Sequence, residues 1–468
     1  MAAGMAGLSA GCASVNGMRE QAVSDGRASA ETLFAASVAG AADPAVFKGP
    51  LSPEEAVKLA LERNRSYRAV LEEKNAADAR LTEAWSGVMP RLTAGGGYTH
   101  LDKATKINVG AAEMTIGEEN NYSMSATVAQ PVFHGGAIRS GIKTARMASA
   151  MTEEAIRAAR QGTIFLAAKS YYDVVLAGHL LRVREEAVTS SQRHLADVEN
   201  MKNQGAASDY DVLRAQVEVS NFQAEALKQK NDRDLALASL LNVCGLSQQS
   251  EVEITGDIER RPVSAGFTEA AKIAVSGNPA MLQVRLAAMI KEEAVMLARS
   301  AYAPQVDAFF KYERTKPDSR SLGRSEWGAG WTAGATLSLS LFDGLYREGR
   351  IDGARAALEQ ARIRIEGAEE QTLLDIRRAI LELENADKMV ESQQLSLKRA
   401  EEGLRLAEAG YKQGVNTEVQ VTDARSATTA ARAFYYQAVY AHALARLNLK
   451  MAMGMLEPAN FGDTIKGE

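Results

Sequence analysis

The residues best suited to metal ligation or nucleophilic chemistry are five histidines and two cysteines. His100, His134, His179, His194 and His442 stand singly, with none of the spacings that bring several ligands to one metal. They read as surface or turn residues, and no metal or cofactor is expected. Cys12 and Cys244 lie far apart and form neither a ligand motif nor a disulfide framework. The glycines at Gly95, Gly96 and Gly97, and those from Gly328 to Gly334, alternate inside strand-like patterns. A phosphate loop instead leads from a strand into a helix. Gly-x-Ser-x-Gly occurs only at Gly7 to Gly11, inside the Ala/Gly/Ser-rich leader and without the strand-to-helix turn that a nucleophile elbow needs. Catalytic residues are therefore not assigned, and the chain does not read as an enzyme. Its many Glu/Arg pairs at i,i+4 read as solvated helix faces.

Composition narrows the class further. Lys plus Arg number 54 against 59 Asp plus Glu, with both signs mixed and no basic block, so nucleic acid is not an expected partner. Only 10 prolines and 6% aromatics in 468 residues suit long helices better than a compact enzyme core. Residues 1–50 are rich in Ala, Gly and Ser and read as a disordered leader or a signal-sequence remnant. Small residues before Cys12 loosely match a lipoprotein cleavage site, with Ser9 where such sites prefer Leu. Lipidation at Cys12 and a bland leader both stay open. No stretch of about 20 apolar residues is present, so a membrane-spanning helix is not expected.

The chain repeats itself. Ala56, Ala60, Asn64 and Pro90 recur as Ala270, Ala274, Asn278 and Pro304, an offset of 214. Beyond the strands, Phe133, Gly135, Arg146 and Gly205 recur as Phe342, Gly344, Arg355 and Gly414, an offset of 209. The first repeat covers 51–250 and the second 267–456, joined by a linker at 251–266 and followed by a tail at 457–468. Each repeat reads as a short helix, a medium helix ending at a proline, two strands, a very long helix and a return helix. In the second long helix Ile351, Ala354, Leu358, Ala361, Ile365 and Ala368 alternate by three and four, a coiled-coil seam. Each long helix, about 136–201 and 346–411, spans on the order of 100 Å. A medium and a return helix laid end to end beside it would make a two-stranded rod.

Between helices the period drops to two. Tyr122, Met124 and Val128 share one side of a strand, Val306 and Phe310 one side of another, and Trp327, Trp331, Ala333 and Leu337 one side of a third that continues to Leu341. Leu92, Ala94 and Tyr98 mark a fourth. Four strands of about ten residues, apolar on one side and aromatic toward their ends, match membrane β-barrel spans. A soluble sheet on a coiled-coil scaffold, periplasmic or cytoplasmic, is the alternative. If lipid-facing, four strands cannot close alone. Three chains supply twelve, enough for a lumen. The fold class is thus mainly α with a membrane β-barrel portion: a trimeric 12-strand barrel on an α-helical tunnel.

The run from Ala407 to Ala424 resembles the TolC-like outer-membrane efflux family, with Tyr411, Gly414, Thr417 and Asp423 marking it. Its partner from Gly205 to Ala215 and the Gln130-Pro-Val-Phe133-His-Gly-Gly turn carry the same resemblance. The resemblance implies a homotrimeric exit duct in the outer membrane of a Gram-negative bacterium, its tunnel projecting into the periplasm. It would serve efflux or type I secretion with a periplasmic adaptor and an inner-membrane pump. The family's adaptor-docking tips fall on Gly205, Ala206, Gly414 and Val415, and its periplasmic gate on Asp211, Tyr411, Gln420 and Asp423. Here the chain departs from the family, because Gln420 replaces an acidic position and Asn416 a basic one. Three glutamines brought together by symmetry do not repel one another or attract cations as carboxylates do. A less cation-selective or more weakly latched gate is expected.

Overall fold

The computed structural model describes residues 21–29, 46–104, 106–109, 112–115, 118–261, 266–318, 320 and 326–458. Cys12, with its lipidation expectation, lies outside them. The first repeat comprises β1 (Lys48–Leu51), α1 (Pro53–Arg63), α2 (Arg65–Ser86), β2 (Arg91–His100), β3 (Lys106–Val109), β4 (Ala112–Thr115), β5 (Asn120–His134), α3 (Ala137–Asn203) and α4 (Asp209–Val243). The second comprises β6 (Glu251–Ile254), α5 (Phe267–Gly277), α6 (Pro279–Arg299), β7 (Gln305–Lys316), β8 (Gly328–Ser338), α7 (Tyr346–Lys412) and α8 (Glu418–Ala452). Both long helices, α3 and α7, contain 67 residues, and both return helices, α4 and α8, contain 35.

One asparagine per repeat explains how two short helices make one rod. Asn64 caps α2 by accepting from Tyr67 N–H, and its side-chain amide donates to the carbonyl of Val243 at the end of α4. Asn278 caps α6 through Ala280 N–H and donates to the carbonyl of Ala452 at the end of α8. The same side chain thus serves one helix's first turn and another's last carbonyls, all of which a helix leaves unpaired. Gly454 follows α8 with φ +71°, and a Cβ on it would lie 2.7 Å from the Asn278 Cα. Left-handed backbone and close approach both demand glycine there. Gly454→Ala is expected to cost about 1–3 kcal/mol, seen as a lower midpoint in thermal unfolding, whereas Gly353→Ala, in open space on α7, should not. Equal midpoints for the two would refute the splice.

α2 and α4 pack along α3, and α6 and α8 along α7, while α6 also packs on α3 and joins the two repeats. The α7 seam is buried or half-buried from Ile351 to Ala368 and continues through buried Ile376, Ile380 and Leu383. The largest core lies midway along the rod, where α1, α3 and the ends of α4 and α8 enclose Val57, Ile164, Tyr171, Leu240 and Leu447. β1 pairs in parallel with β6 beside it. Strands of four residues are too short to announce themselves by alternation, so this sheet is not foreseen. Neither is an apolar 18-residue window in α3, long and apolar enough to cross a membrane, of which 56% is buried inside the fold.

The order β2-β5-β7-β8 forms an antiparallel sheet of four strands at one end of the rod. β8 stops at Ser338, short of the expected Leu341. Buried Arg347, at the start of α7, donates to the carbonyls of Ser340 and Leu341 and pairs with Asp343 at 2.8 Å. Those carbonyls are taken from any ladder, and the chain turns into the helix.

Candidate functional site

Two surfaces are built with more care than packing alone needs: the tip of the helices and one face of the sheet. At the tip, α3 and α7 end alike. Gly205 N–H donates to the carbonyl of Lys202 and Ala206 N–H to that of Met201, while Gly414 N–H donates to Tyr411 and Val415 N–H to Gly410. This paired pattern requires a left-handed residue, and Gly205 and Gly414 have φ +76° and +72°. Both glycines, Ala206 and Val415 are exposed, Val415 to 76%. An apolar side chain is thus held at the extreme end of the molecule.

Of the four gate candidates, Asp211 lies near Tyr411, while Gln420 and Asp423 are exposed. Asp211 turns back on its own helix, accepting from Ser208 N–H at 2.9 Å and Ser208 Oγ–H at 2.7 Å. Gln420 does the same through Thr417 N–H at 2.9 Å. Both are capping residues, a local role available to any carboxylate or amide three residues past a Ser or Thr. Tyr411 is half-buried, its ring 5.6 Å from that of His194. Burial, then the nearby Glu418 and Asp211 carboxylates, pushes its hydroxyl up to about 12, so it keeps its proton at neutral pH.

The Ser208 hydroxyl, then the Ser208 N–H, hold the Asp211 carboxyl below its ordinary 3.8. A carboxylate whose folded pKa is depressed stabilises fully above its unfolded value and loses that contribution as pH falls through the folded one. Ser208→Ala should therefore cost about 1 kcal/mol at neutral pH, and the gap between parent and variant should narrow below about pH 4. Thermal unfolding at the two pH values checks this, and an unchanged gap in acid would contradict it.

Deeper between the helices lies a network that the sequence reading misses. Arg425 of α8 is 3% exposed. Its Nη1 donates to Glu218 of α4 at 3.3 Å, its Nη2 to Glu408 of α7 at 3.4 Å, and its Nε to the Ser190 hydroxyl of α3 at 3.1 Å. One side chain ties together all four helices at this level. Toward the tip, His194 Nε2 lies 2.5 Å from Glu418 Oε1, and both residues are buried. Away from it, Arg432 bridges Glu186 of α3 and Glu401 of α7 at 2.7 and 3.0 Å. His194 and His442 are therefore core residues rather than surface ones. His179 is mostly covered as well, stacked on Tyr436 and 2.7 Å from Asp257. Some of the Glu and Arg side chains likewise bridge helices instead of lining solvated faces. One signal was available: Glu418, Arg425 and Arg432 follow each other at seven-residue spacing, the period of a seam.

On the sheet, register aligns the four alternating sets. Leu92 pairs with Val128, Val128 with Phe310, and Phe310 with Ala333. The next rungs join Ala94, Ala126, Tyr312 and Trp331, and then Gly96, Met124, Arg314 and Ala329. Val306 opposite Leu337 completes the same face toward the helices. Tyr122, Met124, Phe310, Trp327, Trp331 and Leu337 are exposed, and Val128 and Val306 half-buried. The rungs between them carry Thr93, Thr127, Lys311 and Thr332 on the opposite face. The result is an uncovered apolar face on a sheet whose outer strands, β2 and β8, have open edges.

Comparison with known proteins agrees with this architecture. The family model described as "Outer membrane efflux protein" matches residues 56–246 and 271–455, one stretch in each repeat. The chain is 22% identical over 408 residues to "Outer membrane protein TolC" of Escherichia coli K12, covering 84% of this chain and 80% of that one. It is also 22% identical over 400 residues to "Cation efflux system protein CusC" of Escherichia coli O157:H7, covering 84% of each. Among solved structures, the CmeC outer membrane channel of Campylobacter jejuni superposes with a TM-score of 0.74 at 16% identity, covering 87% of this chain and 86% of that one. With the family model matched in both halves, this chain belongs to the outer membrane efflux protein family.

Proposed function

We propose that the chain is one third of a trimeric outer-membrane channel, the exit duct of a tripartite efflux or type I secretion system. One observation carries the reading: an apolar face aligned across four strands, open at both edges, on a helical rod of roughly 100 Å. Open edges are not tolerated in hydrocarbon, where no water satisfies the free backbone groups. Pairing β8 of each copy with β2 of the next removes every edge. Three copies of four strands make twelve, and the polar Ser, Thr and Gly rungs then line the lumen. The helices continue the wall as a tunnel toward the periplasm.

At the far end, Gly205-Ala206 and Gly414-Val415 would dock a periplasmic adaptor, and the adaptor a pump in the inner membrane. Exposed small and apolar residues on a tight turn suit an end-on contact between helices. Asp211, Tyr411, Gln420 and Asp423 lie just above and form the gate in the assembled trimer. With Gln420 in place of a carboxylate, the constriction holds fewer negative charges.

Conductance of the purified protein in planar bilayers is the test. Discrete steps, larger after the tip is loosened by Arg425→Leu, are the expected result. Absence of conductance from both parent and variant would reject the channel and leave a coiled-coil scaffold.

A further inference from the structure

We propose that Arg314 and Lys316, with Trp327 and Tyr122, bind the phosphate of an anionic lipid headgroup at the outer rim of the sheet. The proposal rests on the reading that the apolar face meets the membrane.

Among the described strand residues of that face, the only permanent charges are Arg314 and Lys316. Both are cations, and no carboxylate among the described strand residues shares the face. On the opposite face the charges are balanced, with Lys311 paired to Glu313 at 2.8 Å. The two cations stand two residues apart on β7, roughly 7 Å, opposite Met124 and Tyr122 of β5. Charges placed on an apolar surface without counter-charges suit a ligand that brings its own.

The surroundings define that ligand. The Arg314 guanidinium carbon lies 5.7 Å from the Trp327 ring centroid, and the Tyr122 ring 6.2 Å from the same ring. A guanidinium held over an aromatic face keeps its in-plane N–H groups free to grip two oxygens of one phosphate. Beside Arg314 on the same face is Met124, and on the rung below are Tyr312 and Trp331, all exposed. A free phosphate ion has no use for them, whereas the acyl chains of a lipid do. Depth agrees as well. From Val306 to Lys316 is ten residues, roughly 33 Å along the strand and about 25 Å of height at the usual tilt of barrel strands, the height of an apolar barrel band, with Arg314 just inside its edge. β7 starts next to α6 and runs away from the helices, so the cations lie at the end remote from the tunnel. In the proposed channel that end reaches the outer leaflet, and a phosphorylated glycolipid is the headgroup that fits.

The test uses the full chain purified in detergent and titrated with lipid A, with its dephosphorylated form and with inorganic phosphate, binding being read by native mass spectrometry. Retention of lipid A but not of the dephosphorylated form is expected. The double variant Arg314→Gln, Lys316→Gln should bind lipid A about tenfold more weakly, the loss of a charge-assisted contact, with strand content by circular dichroism unchanged. Equal binding by parent and variant overturns the site, and so does displacement of lipid A by inorganic phosphate. Insertion into phosphatidylcholine vesicles without preference for lipid A overturns the site alone. Failure to insert into any vesicle overturns the membrane reading beneath it.

Discussion

Arg425→Leu is expected to lower the stability of the helical half by about 3–5 kcal/mol, the loss seen when one partner of a buried ion pair is removed. The size follows from what is left behind. Glu218, 9% exposed, has Arg425 as its charged partner, and without it a carboxylate stays between four helices with only the Thr422 hydroxyl at 3.4 Å. Glu408 is 42% exposed and can turn to water, so its share of the loss is small. A second substitution separates this account from mere loss of bulk. Adding Glu218→Leu to Arg425→Leu removes the stranded charge, and the double variant should regain most of the stability, since apolar replacement of a whole buried pair is often neutral. Thermal unfolding followed by circular dichroism measures all three proteins. A single variant as stable as the parent would show that water reaches the network. A double variant no better than the single would show that the arginine's contacts to Ser190 and Glu408 carry the effect instead.

Ala333→Arg is expected to stop assembly in the membrane. Ala333 sits in the middle rung of the apolar face, next to Phe310. An arginine near the bilayer midplane of a barrel costs about 2–4 kcal/mol per chain, and three-fold symmetry would impose it three times. The control is Thr336→Arg, three residues along the same strand and on the opposite face, where it meets Asp307 of β7. There the new charge gains a partner and faces the proposed lumen. Fractionation of cell envelopes should find the Thr336 variant in the outer membrane and the Ala333 variant absent from it. If both assemble, the face does not meet lipid. If neither does, the strand tolerates no added volume, and Ala333→Leu then decides between bulk and charge.

Much of the architecture is legible in the sequence. The duplication, the pair of 67-residue helices and the four alternating strands are written in local periods of seven and two, and periods survive without knowledge of neighbours. Asn64 and Asn278 were visible as matching points of the repeat, but their task was not. Nothing local says that an amide capping one helix also closes the end of another 174 or 179 residues away. The exposed tip residues were legible because Gly after a long helix implies a left-handed turn.

The rest belongs to tertiary structure. Periodicity assigns each strand two faces, but only register decides that the four apolar faces coincide, and that Arg314 and Lys316 end on the same side as Met124 and Tyr122. Charge behaves likewise. A glutamate or arginine on a helix reads as solvated until another helix covers it, and Glu218, Glu418 and Arg425 are covered by helices from both repeats. Sequence by itself determined a two-fold repeated, helix-rich chain with an amphipathic sheet, because backbone geometry and hydrophobic period act within a few residues. Tertiary structure alone decided which charges are buried and which faces align, because burial and register depend on chain segments more than a hundred residues apart.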